Sequence, residues 1–326
     1  MDPHPATEPA FSDPPGRIAL VLNPNALRNS KRPVQTERLL SEFDKLGETT
    51  LVGDGYVLTD RLRKWQADGL DLLAISGGDG TVQRVVDEVL SVWAGRPLPR
   101  ILLLHGGTAG IVARESGHSD PLQAVQNLRM ALQEDRPILT ERLPILKVGH
   151  RHTLSFGLGV FQRLSEAYVT YGRQVALSHS WLGARVLTSY LTRGPFARKA
   201  LAPCHCRIRI DGREYPAGCF VGLYACTIKR ISGFHPLAEV DCPDGAFRIV
   251  GIRHSAANRI IRHVWQYLRG DEEQLSDVLL LCGTRSMTVE PENGIVQYMA
   301  DGETYAEPGS LEICIGPELK VVRLPG

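Results

Sequence analysis

Gly77-Gly78-Asp79-Gly80-Thr81 sets one aspartate among glycines directly after the apolar run Leu72-Leu73-Ala74-Ile75. Glycines have no Cβ, so backbone N–H groups can close on an anion there, and a helix starting at this point adds its positive end. That combination is a phosphate cradle. Asp79 inside it is an acceptor-only carboxylate, suited to holding Mg²⁺ or a water of its shell, or to taking a proton from an attacking hydroxyl. Gly-Gly-Asp-Gly is also an ordinary turn composition, so the surrounding elements must decide between the two readings.

A short, continuous apolar run is the signature of a strand buried on both faces, as in parallel sheets covered by helices. After the turn, Val82, Val85, Val86, Val89 and Leu90 fall on one helical stripe, and Thr81 reads as the N-cap. Two more segments repeat the arrangement. Ile18 to Leu22 leads into Asn23-Pro24-Asn25 and then a helix with Leu39, Leu40, Phe43 and Leu46 on one face. Ile101 to Leu104 leads into His105-Gly106-Gly107-Thr108-Ala109-Gly110, and Asp120-Pro121 opens a helix with Leu122, Val125, Leu128 and Leu132 inward. Between the first two lie a short strand at Thr49 to Val52 and a helix with Leu58, Leu62 and Trp65. Right-handed crossovers stack such βα units into one open parallel sheet, whose strand-to-helix loops all emerge on the carboxyl edge. The Asn23, Gly77 and Gly106 loops are therefore expected to share one nucleotide.

From residue 136 the texture changes. Ile208 and Ile210 alternate with Arg207 and Arg209 before Asp211-Gly212, and β-like runs cover Gly218 to Ile228, Ala246 to Ile252 and Val278 to Leu281. One helix, capped by Ser255 and carrying Ile260, Ile261, Val264 and Leu268, interrupts them. The expected fold class is α/β: an N-terminal open parallel α/β nucleotide-binding domain over 17–135, then a mostly antiparallel β-sandwich-like domain over 136–326. The extreme C-terminus is expected to return to the first domain, and Pro-rich residues 1–16 form a disordered tail. A chain of 326 residues can bury two cores, and the cleft between two cores is the default place for a substrate.

The net charge of +1, without dense basic runs, gives no reason to expect nucleic acid. No apolar stretch approaches membrane-spanning length and no leader is evident, which points to a cytoplasmic protein. Peripheral contact stays open. Tyr168, Tyr171, Trp181, Leu182, Val186, Leu187, Tyr190, Leu191 and Phe196 are interleaved with Arg163, Arg173, Arg185, Arg193, Arg198 and Lys199, a mixture that suits an anionic bilayer or an ordinary amphipathic helix over the second core. Seven cysteines, all in the second half and without regular spacing, read as reduced, and Cys204-His205-Cys206 lacks a second ligand pair at a zinc spacing. Asp-Gly recurs in the second half at 211, 244 and 301, and Asp211-Gly212-Arg213-Glu214-Tyr215 mimics Asp301-Gly302-Glu303-Thr304-Tyr305. Turn chemistry alone does not separate the copies.

Asn-Pro after the first strand, Gly-Gly-Asp-Gly-Thr after a buried strand, a later Gly-Gly-Thr loop and Asp-Gly-Glu close to the end occur in this order between residues 17 and 305. In this the chain resembles the diacylglycerol kinase catalytic-domain family, which includes bacterial soluble lipid kinases and sphingosine kinases. The resemblance implies an ATP- and Mg²⁺-dependent lipid kinase acting on a hydroxyl of diacylglycerol, a sphingoid base or a related lipid, with transient membrane contact and a homodimer left open. It implies nucleotide contacts at Asn23, Thr50 or its neighbour Thr49, Gly77, Gly78, Gly80, Thr81, Gly107 and Thr108. It implies a structural Mg²⁺ held by Asp244 with backbone carbonyls at Asp241 and Ala246, and catalysis by Asp79 and Asp301, with Asp301 or Glu303 as the base. NAD kinases share the Gly-Gly-Asp-Gly-Thr element, and a catalytically altered lipid- or nucleotide-binding protein is the other alternative. Two departures favour the latter. Relatives continue x-Asn-Glu-Val where this chain has Val82-Gln83-Arg84-Val85, and Gly110-Ile111 replaces a polar pair.

Overall fold

The structure is a computed structural model that describes residues 10–12, 15–53, 57–105, 120–172, 195–227, 242–243, 245–256 and 279–324. It divides into one unit of residues 1–144 and 318–326, and a second of residues 145–317.

In the first unit, strands and helices alternate: β1 (Ala10–Ser12), β2 (Arg17–Leu22), α1 (Leu27–Lys31), α2 (Pro33–Phe43), β3 (Glu48–Leu51), α3 (Thr59–Ala67), β4 (Leu70–Gly77), α4 (Asp79–Val92), β5 (Arg100–His105) and α5 (Pro121–Gln133). Strand β6 (Ile138–Val148) and the late strand β17 (Leu311–Arg323) each run from one unit into the other. β3, β2, β4 and β5 lie side by side in that order, every pair parallel, and Val321 of β17 adds in parallel to Ile101 of β5. The apolar runs are buried as expected: Ala19 to Leu22 and Leu72 to Ile75 are fully enclosed. Phe43, Leu62, Trp65, Val89, Val125 and Leu128 come from the helical stripes and are buried too. Asp120 caps α5, its Oδ1 accepting from Leu122 N–H at 3.0 Å with Pro121 opening the helix.

Two expectations need correction. Residues 10–12, placed in the disordered tail, form a strand antiparallel to Ile138–Thr140. Edge pairing asks only for backbone N–H and C=O groups, which composition does not report. Thr81 is not the N-cap of α4. Gly78 occupies that place in an extended conformation (φ −83°, ψ 174°), and its carbonyl accepts from Thr81 and Val82 N–H at 2.9 and 3.0 Å. The helix therefore starts at Asp79, three residues earlier than side-chain capping chemistry suggests.

The second unit is antiparallel. It contains β7 (Arg151–Thr153), β8 (Ser155–Gly159), α6 (Val160–Gly172), α7 (Pro195–Ala200), β9 (Cys206–Ile210), β10 (Arg213–Tyr215), β11 (Phe220–Cys226), β12 (Phe247–Arg253), β13 (Leu279–Thr284), β14 (Ser286–Pro291), β15 (Ile295–Ala300) and β16 (Glu303–Pro308). One sheet runs β13-β12-β11-β8-β15-β16, and β10, β9, β14 and the start of β17 belong to the other. Their inner faces share one core, with Phe156, Phe220, Phe247 and Tyr298 from the first sheet and Ile208, Met287, Val289 and Ile313 from the second. This is a β-sandwich, built from the period-2 alternation seen along the chain. The helix expected after Ser255 lies outside the described residues, apart from a single 3₁₀ turn at His254–Ala256.

Candidate functional site

In the first unit the chain steps from β2 to β3 on one side and then crosses to β4 on the other. The strand order therefore reverses between β2 and β4. Open α/β sheets bind ligands at such a switch point, beyond the carboxyl ends of the strands. Here Leu22 lies opposite Ser76, and Gly77 opposite His105, so the three strands end level.

Hydrogen bonds tie the loops at this edge together. Asn23 N–H donates to the Ser76 carbonyl at 2.8 Å, and Asn23 Nδ2 donates to Thr81 Oγ1 at 3.0 Å. Asn23 Oδ1 accepts from Asn25 N–H at 2.9 Å. Beneath them Asn29, only 6% exposed, donates from Nδ2 to the Asn23 carbonyl at 2.8 Å and to Ser76 Oγ at 3.3 Å. Its own carbonyl accepts from Thr36 Oγ1 at 3.0 Å. Asn29 and Ser76 do not stand out in the sequence, Ser76 because it closes an apolar run and Asn29 because it sits in a polar stretch.

Each part of the loop has a physical reason. A Cβ on Gly77 would meet the Thr81 side chain at 2.5 Å, so the close approach of β4 to the first turn of α4 requires glycine there. No side chain caps α4: the Gly78 carbonyl takes the Thr81 and Val82 N–H groups, and the earlier backbone N–H groups of Asp79 and Gly80 meet no side-chain cap, which leaves them as candidate donors to an anion. Thr81 accepts from Asn23, and among the described residues its own hydroxyl hydrogen meets no recorded acceptor; a phosphate oxygen would complete it. Gly80 is exposed. The site fits a phosphate group. The Asp79 side chain, His105 side chain, Gly107 and Thr108 lie outside the described residues, although the Asp79 backbone opens α4. Thr50 is opposite Val21 on β3 and half-buried, while Thr49 donates to Asp44 Oδ1 at 3.1 Å.

Arg84 is exposed and approaches Glu88 one turn on at 3.7 Å. Glu88 in turn accepts from Leu58 N–H and Thr59 Oγ1, both at 3.0 Å, fastening the start of α3. Gln83 is buried.

The second unit carries the late Asp-Gly-Glu. Asp301 (φ 46°) and Gly302 (φ 89°) turn β15 into β16. The Asp301 carboxylate accepts Leu154 N–H at 3.1 Å to both oxygens, Ser155 N–H at 2.8 Å and Ser155 Oγ at 3.0 Å. Burial pushes this carboxyl above the usual aspartate range, against the hydrogen bonds from Thr153, Leu154 and Ser155 that favour its charged form. The Gly302 carbonyl accepts from Ser165 Oγ of α6. Glu303 is exposed on β16 and makes no recorded hydrogen bond or ion pair among the described residues.

Of the expected metal set, Ala246 is buried beside Gly245 and donates its N–H to the Pro243 carbonyl at 3.1 Å, whereas Asp241 and Asp244 lie outside the described residues. Among the described residues no three His, Cys, Asp or Glu side chains cluster as metal ligands, so the fit to Mg²⁺ rests on those two aspartates. Cys204 precedes β9 rather than lying in it. Burial pushes its thiol up to about 12 and raises that of Cys206 too, so both are ordinary enclosed thiols. In the aromatic and basic stretch, α6 packs Phe161 on Tyr224 of β11 with ring centroids 5.2 Å apart, and Arg163 donates to the carbonyls of Ala200, Ala202 and Pro203. Tyr168, Tyr171 and Phe196 have no described side chains, and residues 173–194 lie outside. No helix among the described residues is long and apolar enough to cross a membrane.

A parallel sheet with a glycine-rich helix start at its switch point, followed by a β-sandwich, defines a two-unit α/β class of protein. Residues 17–138 match the family model of the diacylglycerol kinase catalytic domain, and this part of the chain carries that domain. Three solved structures from Bacillus anthracis str. Sterne, described as diacylglycerol kinases, two of them only provisionally, share the fold. They are 17%, 16% and 18% identical to this chain, cover 96%, 95% and 96% of it and 96%, 98% and 100% of themselves, with TM-scores of 0.66, 0.61 and 0.62. At such identities the likeness is one of fold. No curated protein matches the chain.

Proposed function

We propose that the protein is an ATP- and Mg²⁺-dependent lipid kinase that transfers the γ-phosphate to a hydroxyl of diacylglycerol, a sphingoid base or a related amphiphile. The observation that carries this reading is the Asn23–Thr81 hydrogen bond at the switch point, within a segment that matches the diacylglycerol kinase catalytic domain. Asn23 orients Thr81 so that its hydroxyl hydrogen faces a phosphate oxygen, and the start of α4 offers backbone donors beside it. In the reaction the lipid oxygen bonds to the γ-phosphorus as the bridging β,γ-oxygen bond breaks, ADP leaves, and the hydroxyl proton passes to a carboxylate. Mg²⁺, when bound, neutralises charge on the phosphates; Asp241, Asp244 and Ala246 are its proposed structural holders, and Asp79 is proposed to serve the nucleotide-bound ion.

The Glu303 carboxylate, without a recorded partner among the described residues, supports its role as the proton acceptor. Asp301, engaged by two backbone N–H groups and a hydroxyl, is proposed to position the turn that presents Glu303. The exposure of Arg84, beside half-buried Glu88, supports a solvated role for the residue that departs from the family pattern.

The experiment is transfer of ³²P from ATP to diacylglycerol or sphingosine in detergent micelles, with NAD as a competing acceptor. The wild-type chain is expected to label lipid, and Asp79→Ala to reduce labelling by at least about a hundredfold. Labelling of NAD without lipid, or undiminished transfer by the variant, overturns the reading.

A further inference from the structure

The side chains that hydrogen bonds link at the carboxyl edge of the first sheet, Asn23, Asn29, Ser76 and Thr81, are all neutral. Elsewhere similar tasks fall to aspartate. Asp120 accepts the N–H two residues on just as Asn23 accepts that of Asn25, and Asp211 and Asp301 each clamp two N–H groups across a turn. A carboxylate is the stronger acceptor, so amides in its place give up clamping strength. They keep negative charge away from the start of α4, as an edge that receives phosphate requires.

Asn29 lies at the bottom of this network, buried on α1. Its Nδ2 serves two partners, the Asn23 carbonyl at 2.8 Å and Ser76 Oγ at 3.3 Å. A carbonyl only accepts, so the amide nitrogen and not Oδ1 must face it. The two hydrogens join the loop after β2 to the end of β4, where Asn23 N–H already meets the Ser76 carbonyl at 2.8 Å. Asn23 is thus held at both backbone polar groups, its carbonyl also accepting Ala26 N–H at 3.3 Å. That leaves its Nδ2 set on Thr81 Oγ1.

We propose that Asn29 is a positioning residue for phosphate binding: through the Asn23 carbonyl and Ser76 it fixes the Asn23 amide that turns the Thr81 hydroxyl toward a phosphate oxygen. Its role rests on the kinase reading, because that reading puts a nucleotide at this edge. Binding tests it without turnover.

The dissociation constant of ADP with Mg²⁺ is measured by titration calorimetry on the full chain, below its unfolding midpoint, at about pH 5 and about pH 8. Asn29→Asp keeps the size of the side chain and exchanges its donor for a carboxyl. Against the Asn23 carbonyl the neutral form of that carboxyl is favoured, which raises its pKa. Protonated, it still donates; ionised, it sets acceptor against acceptor and adds negative charge beside the phosphate. Binding is expected to be about threefold weaker than wild type at the lower pH and about thirtyfold weaker or more at the higher. Taking the ratio to wild type cancels the titration of ADP, Asp79 and His105, since Asn23, Ser76 and Thr36, the recorded partners of Asn29, do not titrate. Ser76→Ala removes one of the two acceptors and is expected to weaken binding about threefold at both pH values.

A purely structural Asn29 would lower the unfolding midpoint and leave the affinity of the folded chain unchanged. Wild-type affinity in Asn29→Asp at both pH values, an equal loss at both, or, if Asn29→Asp does not fold, wild-type affinity in Ser76→Ala overturns the proposal. Absence of ADP binding by the wild-type chain overturns it together with the kinase reading. The expected pattern without ³²P transfer to lipid removes the kinase reading and leaves the role of Asn29 standing, whereas transfer with unchanged affinity in the variants removes that role alone.

Discussion

The hairpins at Asp211 and Asp301 are the same device used twice in one sandwich. Both aspartates sit at positive φ, 44° and 46°, before a glycine at 82° or 89°. Each donates its N–H to a serine carbonyl at 3.1 Å, Ser286 in one case and Ser155 in the other. Each carboxylate accepts the N–H groups of that serine and the residue before it: Arg285 and Ser286 at 3.1 Å, or Leu154 and Ser155 at 3.1 and 2.8 Å. Even the threonine two residues ahead of the serine repeats, Thr284 and Thr153 donating to the serine carbonyl at 2.9 and 2.8 Å. The copies differ in their surroundings. Asp211 is exposed, while Asp301 adds Ser155 Oγ and lies against α6 through Ser165. In place of Glu303, which has no recorded side-chain partner among the described residues, the other hairpin has Arg213, which lies over the Tyr215 ring at 5.3 Å. In these two hairpins the aspartate is thus explained by the turn, and under the proposed kinase reading the proton acceptor is to be sought in the acid two residues after Asp301.

The largest expected effect tests that division. Glu303→Gln should lower kcat for lipid phosphorylation by about 10²- to 10⁴-fold with the unfolding midpoint unchanged, as for loss of a general base, whereas Arg213→Gln should leave kcat alone. A Glu303→Gln enzyme of normal kcat would return the proton to Asp301.

Next comes stability. Asp301→Ala orphans two backbone N–H groups and a hydroxyl and should cost about 3 kcal/mol in denaturant unfolding, against about 1 kcal/mol for the exposed Asp211→Ala. Equal losses would erase the distinction between the hairpins. Asp301 should also carry a pH signature. Its folded pKa lies above the ordinary 3.8, so its contribution is fully present below that value and declines as pH rises through the raised folded pKa. Asp301→Asn, compared with wild type across that interval, should remove the decline.

The smallest contrast concerns the serines. Ser155→Ala loses a hydroxyl donor to a carboxylate and should destabilise by about 1 kcal/mol, whereas Ser286, with no recorded side-chain bond among the described residues, should tolerate alanine within about 0.5 kcal/mol. Matching values would show that the hydroxyl does not set the copies apart.

Much of this architecture is legible in the order of the residues. Apolar runs such as Leu72 to Ile75 can be buried only between two helical layers, and the alternation at Arg207 to Ile210 can serve only a one-sided sheet. The meeting of Asn23 with Thr81 follows from level strand ends, which the βα count anticipates. The start of α4 escapes such reasoning because Gly78 caps with its backbone alone and shows no side chain to recognise. Asn29 is hidden for a different reason: its importance comes from burial, and burial of a polar residue in a polar stretch leaves no pattern.

The Asn23, Asn29, Ser76 and Thr81 network also bears on how a ligand is received. Its bonds are all internal to the protein, so this half of the loop is rigid before anything binds, and little chain entropy remains to be lost on arrival. Recognition at this edge is then closer to a lock already cut than to a loop folding around its guest. The slow step of a catalytic cycle would be sought elsewhere in the molecule.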